Sequence, residues 1–269
     1  MLAAPFQSYV RSISGFAEPS PDLGMSDFID RGTGPVVVLL HGAGVDNRLW
    51  DPQISSFETT HRVIAPNLPG HGGVAAVDSV EQMVDWIERQ LAERGVRRYS
   101  VVGLSLGGMV ALELASRRPD DVTHLVMIES VPRVSDHPVV RLFARVMINL
   151  LRLVPPKFLV TLPGRQMGAE TAGAADYIKS AIARMTSSNI HSVMRAALAY
   201  DGRPHLAHLR MPVTVMIGEK NKATHDWAAE MTKAIKHSKL IVIPKAGHIA
   251  NRDAADFTND ALRSVLGEK

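Results

Sequence analysis

The feature that most constrains this chain is a train of short, unbroken aliphatic runs with helical stretches between most of them. The runs are Pro35-Val-Val-Val-Leu-Leu40, Arg62-Val-Ile-Ala65, residues 99–102, His124-Leu-Val-Met-Ile128, Val213-Thr-Val-Met-Ile217 and Leu240-Ile-Val-Ile243. Hydrophobic residues stand at successive rather than alternate positions, which a strand tolerates only when both of its faces are covered, as in a parallel sheet wrapped by helices. Helical patterns occupy 79–93, 108–117, 225–235 and 253–266. This alternation predicts an α/β fold with a doubly wound, mostly parallel sheet, whose ligands sit at the carboxyl ends of the strands. Phe28-Ile29 reads as an early edge strand, and residues 1–25, with Pro19, Pro21 and Gly24, read as a loop.

Between Glu129 and Met211 the alternation stops. The interval carries helical patterns at 139–153, 171–185 and 189–199, the last after a cap at Ser187 or Ser188. On the first of these, Arg141, Arg145, Asn149 and Arg152 share one face. Leu142, Phe143, Val146, Met147, Leu150 and Leu153 fill the rest. A basic amphipathic helix of this kind can lie on a membrane surface, but an insertion over strand ends favours a cover for the ligand site. Interrupted by three arginines, the segment is too short and too charged to span a bilayer, so no stable membrane insertion is expected.

Composition narrows the classes. A chain of 269 residues, 46% hydrophobic and 21% charged, can bury a sizeable core. It has no cysteine, which removes disulfides and thiolate metal sites. A net charge of +3 with no Lys/Arg block among aromatics argues against nucleic acid as a partner. The N-terminus lacks the basic-then-apolar order of a secretory signal, so a cytoplasmic protein is expected. Oligomeric state is left open, a homodimer included.

Three stretches carry chemistry. Gly103-Leu-Ser105-Leu-Gly107-Gly108 joins an apolar run to a helix-forming sequence through a sharp turn. A non-glycine residue at such an apex is strained, and Ser105 would there present its hydroxyl at a helix mouth, whose free N–H groups favour developing negative charge. The bland alternative is a glycine-rich turn that happens to contain serine. His41-Gly-Ala-Gly44 ends the first strand, where Ala43, with Gly42, can turn amides into the cleft beside that of Leu106. Ile243-Pro-Lys-Ala-Gly-His248 puts an imidazole after the last strand, and a serine hydroxyl needs such a base. His41 reads as structural and His71 as a turn residue. Trp50 and Trp86 read as packing residues. Among the methionines, such as Met109, Met147 and Met185, core filling is the default, with a few able to line an apolar pocket.

Taken in order, His41-Gly-Ala-Gly44, Leu68-Pro-Gly-His-Gly72, Gly103-Leu-Ser-Leu-Gly-Gly108 and Gly247-His248 resemble the α/β-hydrolase superfamily, in its serine-nucleophile esterase and lactonase branch. The resemblance implies a core of 1–131 and 206–269 and a helical cap of 132–205. It implies a Ser-acid-His triad, an acyl-enzyme, and no metal or organic cofactor. It also implies that the strand ending at Ile128 adjoins the nucleophile strand, with the one ending at Ile217 next beyond. The acid departs from the usual pattern, because the turn after residues 213–217 reads Gly218-Glu-Lys-Asn221 and asparagine carries no charge. Glu129, in Met-Ile-Glu-Ser-Val-Pro132, is the leading candidate, and its placement is similar to that in haloalkane dehalogenases and zearalenone-type lactonases. Asp226 is the alternative acid, although it also fits a helix start; Asp201 fits a role in fixing the cap's return.

The expected function is therefore hydrolysis of an ester or lactone of a hydrophobic small molecule by Ser105, His248 and Glu129, with the amides of Ala43, Gly42 and Leu106 as the oxyanion hole. A carbon–carbon bond hydrolase with the same triad is one alternative, although such enzymes usually carry an aromatic residue where Ile249 stands. A ligand-binding protein on a hydrolase scaffold is the other, kept open by Asn221.

Overall fold

A computed structural model describes residues 28–267; the loop expected over residues 1–25 lies outside them. In chain order the elements are β1 (Phe28–Arg31), β2 (Val36–Leu40), α1 (Asp51–Phe57), β3 (Arg62–Pro66), α2 (Val80–Glu93), β4 (Tyr99–Leu104), α3 (Leu106–Arg117) and β5 (Val122–Ile128). Helices α4 (Pro138–Leu151), α5 (Pro156–Leu159), α6 (Ala172–Ala183), α7 (Ser187–Ala199) and α8 (Arg203–Leu206) follow. The chain closes with β6 (Val213–Gly218), α9 (His225–Ala234), β7 (Ser238–Ile243), α10 (Ala250–Asp253) and α11 (Ala255–Leu266).

The strands form one sheet in the order β1-β3-β2-β4-β5-β6-β7. β1 runs antiparallel to β3, pairing Phe28 with Pro66, and all other neighbours are parallel. β5 lies beside β4 and β6 one place further out, the order the sequence resemblance implied. The unbroken aliphatic runs are explained by two cores. Val38, Leu40 and Val101 point to the layer containing Met83, Ile87, Val110 and Met231. Their neighbours Val37, Leu39 and Val102 point to the layer containing Ile54, Phe57, Leu262 and Val265. Each strand thus serves a hydrophobic layer on either side.

The structure departs from several expectations. β7 was expected to be covered on both faces, yet Leu240 and Val242 are exposed, because it is the last strand of the sheet. The single helix expected over 253–266 is broken at Ala254, at φ −135° and ψ 63°. The break leaves the Asp253 carboxylate to accept the N–H groups of Gly247, Glu170 and Thr171 at 2.9–3.1 Å. Helix α1 was not foreseen at all; it is short and starts with proline in its first turn.

The excursion between β5 and β6 is helical, as expected. Ile178 and Ala181 of α6 join one core layer and Val193 and Ala196 of α7 join the other, so these helices bridge the strand ends. Helix α4 packs on α7, with Ile148 its buried residue. Its wide apolar face points outward instead of covering the site.

Candidate active site

Ser105 lies between β4 and α3 with φ 53° and ψ −116°. Its N–H donates to Ile128 O at 2.9 Å and its carbonyl accepts from the Ser130 hydroxyl at 2.7 Å, so the strained apex is held from β5. The turn closes only because its flanks lack side chains. A Cβ on Gly103 would sit 2.1 Å from Gly107 O, and one on Gly107 2.0 Å from Leu40 O.

Glu129, directly after β5, also has positive φ, 49°, and its N–H donates to Met216 O at 2.8 Å. This conformation turns its side chain toward the neighbouring strand end, where it is fully buried. Oε1 accepts the N–H of Gly218. Oε2 accepts the Asn221 side-chain amide and, at 3.0 Å, the Thr224 hydroxyl. His248 Nδ1 lies 3.4 Å from the same Oε2. Three donors from the β6 end thus hold the carboxylate without neutralising it, and the imidazole supplies the remaining donor when its proton is on Nδ1. That tautomer leaves Nε2 as the basic nitrogen. Asn221 Nδ2 is also 3.2 Å from His248 Nδ1, a hydrogen bond only when Nδ1 carries no proton, so with the proton toward Glu129 the asparagine at the usual acid position braces the carboxylate and not the ring. Asp226 sits in the first turn of α9 and makes no ion pair with His248. Asp201 pairs with Arg203 at 2.7 Å and Arg133 at 3.4 Å, joining the two ends of the helical excursion.

Ser105, His248, Glu129, Ala43 and Leu106 all line one cavity of about 520 Å³. Leu106 is the first residue of α3, so its N–H has no partner within the helix. Among the described residues no protein acceptor takes the Ala43 or Leu106 amide. Gly42 does not line the cavity; a Cβ there would be 3.3 Å from Ser105 Cβ, which makes it the close-packed support of the loop. His41 and His71 are fully buried behind it. His41 Nδ1 bonds Gly42 O at 2.8 Å while its Nε2 accepts Leu68 N–H at 2.9 Å. His71 Nδ1 bonds Leu68 O at 3.2 Å while its Nε2 accepts Gly44 N–H at 3.2 Å. Burial pushes their pKa values down to about 4 and about 3, so both are neutral cross-links between the β2 and β3 loops.

The model of the alpha/beta hydrolase family matches residues 37–261. The chain belongs to that family. It is 31% identical over 238 residues to a pimeloyl-[acyl-carrier protein] methyl ester esterase of Nitrosomonas europaea, covering 81% of this chain and 90% of that protein. It is 24% identical to an (E)-2-((N-methylformamido)methylene)succinate hydrolase of Acinetobacter baylyi, over 89% of this chain and 93% of that one. Its fold superposes on the enol-lactonase of Burkholderia xenovorans with a TM-score of 0.80 at 22% identity, over 90% of this chain and 96% of that one.

In this alpha/beta hydrolase the rest of the cavity wall is mostly apolar: Met109, Val131, Met167, Met194, Ala197 and Trp227. Trp227, Met167 and Met194 were not singled out from the sequence. Trp227 is the third residue of α9, the helix that follows the carboxyl end of β6, a position that could have flagged it. Trp50 is buried in one core layer and Trp86 packs, partly buried, against the other, as expected. Of the three methionines named, Met109 lines this cavity, Met147 is exposed on α4, and Met185 lines a second cavity of about 620 Å³ beside the Asp46–Arg184 ion pair. Gly168, at φ 88°, packs against the base of the His248 side chain, and a Cβ there would meet His248 Cβ at 2.6 Å.

Proposed function

We propose that this hydrolase cleaves carboxylic esters, lactones included, of hydrophobic small molecules through an acyl-enzyme on Ser105. The observation that carries the reading is one cavity lined by a strained serine and by a histidine whose far side meets a buried carboxylate. The Ser105 hydroxyl attacks the carbonyl carbon while His248 Nε2 takes its proton. The amides of Ala43 and Leu106 stabilise the oxyanion, with Gly42 holding their loop in place, and His248 returns the proton to the departing alcohol. Water then attacks the acyl-enzyme by the same route, releasing the carboxylate and restoring Ser105. When His248 becomes a cation, Glu129 is, among the described residues, the buried carboxylate that pairs with it. Three neutral donors fix that carboxylate while leaving its charge for the imidazolium.

The apolar wall supports a hydrophobic acyl or alcohol group, and the named activities of the Nitrosomonas and Burkholderia proteins support ester and lactone bonds. In this reading residues 132–205 are a cap on a core of 1–131 and 206–269. A fluorophosphonate probe should label the wild-type protein rapidly at Ser105. Ser105→Ala should abolish labelling and lower kcat on short p-nitrophenyl esters roughly 10⁶-fold. Equal turnover in the variant would refute the proposal.

A further inference from the structure

Helix α4 carries its hydrophobic arc on the outside. Phe143 is 65% exposed, Leu153 79% and Phe158, on α5, 58%, and Val139, Leu142 and Leu150 continue the ridge. A helix of a soluble protein ordinarily turns such an arc inward, and soluble monomers rarely expose large contiguous apolar patches. The charge pattern is equally one-sided. Between Asp136 and Glu170 there is no acidic residue, while Arg141, Arg145, Arg152, Lys157 and Arg165 are all basic; the remainder of the chain is slightly acidic. Arg165 pairs with Glu170 at 3.3 Å. Among the described residues Arg141, Arg145, Arg152 and Lys157 pair with no carboxylate. Residues 141, 145 and 152 share the helical face opposite the apolar arc, beside Ile148 and α7; one Arg141 nitrogen is buried there, while Arg145 and Arg152 remain exposed.

We propose that α4 and α5 dock this hydrolase on the interface of an anionic lipid bilayer, with the apolar ridge among the acyl chains and the arginines against the headgroups. The side chains project as a ridge and line no groove, which suits a deformable lipid surface better than a preformed protein pocket. α4 is 14 residues long, too short to cross the bilayer, so the contact lies in the plane of the interface. Val134, four residues before α4 begins, is exposed and also lines the Ser105 cavity, so docking through α4 brings the cavity mouth toward the lipid surface.

The test is flotation of the full-length protein with vesicles of phosphatidylcholine and phosphatidylglycerol in equal parts, against pure phosphatidylcholine. Binding is expected to the anionic vesicles and should weaken as salt is raised. The pair Phe143→Ser and Leu153→Ser should reduce it at least about tenfold, and Arg145→Gln with Arg152→Gln should reduce it by a similar factor on anionic vesicles. None of these four residues lines the cavity, so hydrolysis of a soluble ester should be unchanged, which also reports correct folding. Ser105→Ala should bind as well as wild type, so failure of the proposed chemistry leaves this result standing. Absence of flotation would overturn the proposal, as would flotation indifferent to the serine substitutions. So would a concentration-dependent dimer in sedimentation that the same substitutions abolish.

Discussion

At the scale of single residues, the division of labour between Glu129 and Asn221 is the most informative feature. The two side chains come from adjacent strand ends and meet at Glu129 Oε2, the oxygen that His248 Nδ1 also faces. If Glu129 supplies charge and Asn221 only bracing, their substitutions should differ by orders of magnitude. Glu129→Gln preserves shape but removes the charge behind the imidazolium and permits the unproductive tautomer. It should lower kcat by roughly 10³–10⁴-fold, as carboxylate-to-amide exchange does in a serine protease triad. Asn221→Ala removes one hydrogen bond from a carboxylate that keeps Gly218 and Thr224, and should cost about tenfold or less in kcat. Steady-state kinetics on one ester decide this, and equal losses would move the charge-bearing role away from Glu129.

At the scale of elements, the β4–α3 junction is the tightest packing in the site. The backbone of α3 passes so close to β4 and β2 that Gly103 and Gly107 have no room for a methyl group. Because the obstructing atoms are backbone oxygens, rotamer changes cannot relieve the clash. Gly103→Ala should destabilise the fold by about 3 kcal/mol and lower activity with it, read by urea denaturation. The break between α10 and α11 is the complementary device: Asp253 gathers amides from the His248 loop and from the start of the α6 segment, tying the histidine to the helices above it.

At the scale of the whole molecule, the two buried histidines couple the loops after β2 and β3 to pH. An exposed histidine in the unfolded chain takes up a proton near pH 6.5, whereas His41 and His71 stay neutral in the fold until about pH 4 and about pH 3. Between those limits the unfolded state binds more protons, so stability falls as pH is lowered, by up to about 1.4 kcal/mol per pH unit for each histidine. Urea midpoints should therefore drop steeply below pH 6.5, and His71→Asn should make the pH dependence shallower by about one proton.

Much of this protein was legible along the chain because it depends on local patterns. Continuous apolar runs report two-sided burial wherever they occur, which is why the parallel sheet was readable, and Gly103-x-Ser-x-Gly107 states its own steric condition. Glu129 was readable as a carboxylate at the right strand end, although the three donors that hold it come from residues 218–224, some ninety positions away, and no local pattern announces them. The exposure of β7 and the outward face of α4 were not readable, since a hydrophobic run records what a segment would bury and not whether a neighbour arrives to cover it. The sequence by itself determined which groups stand at the carboxyl ends of the strands. Tertiary structure alone decided which meet, because a hydrogen-bonded cluster assembled from β5, β6 and the loop after β7 exists only once the sheet has set those ends side by side.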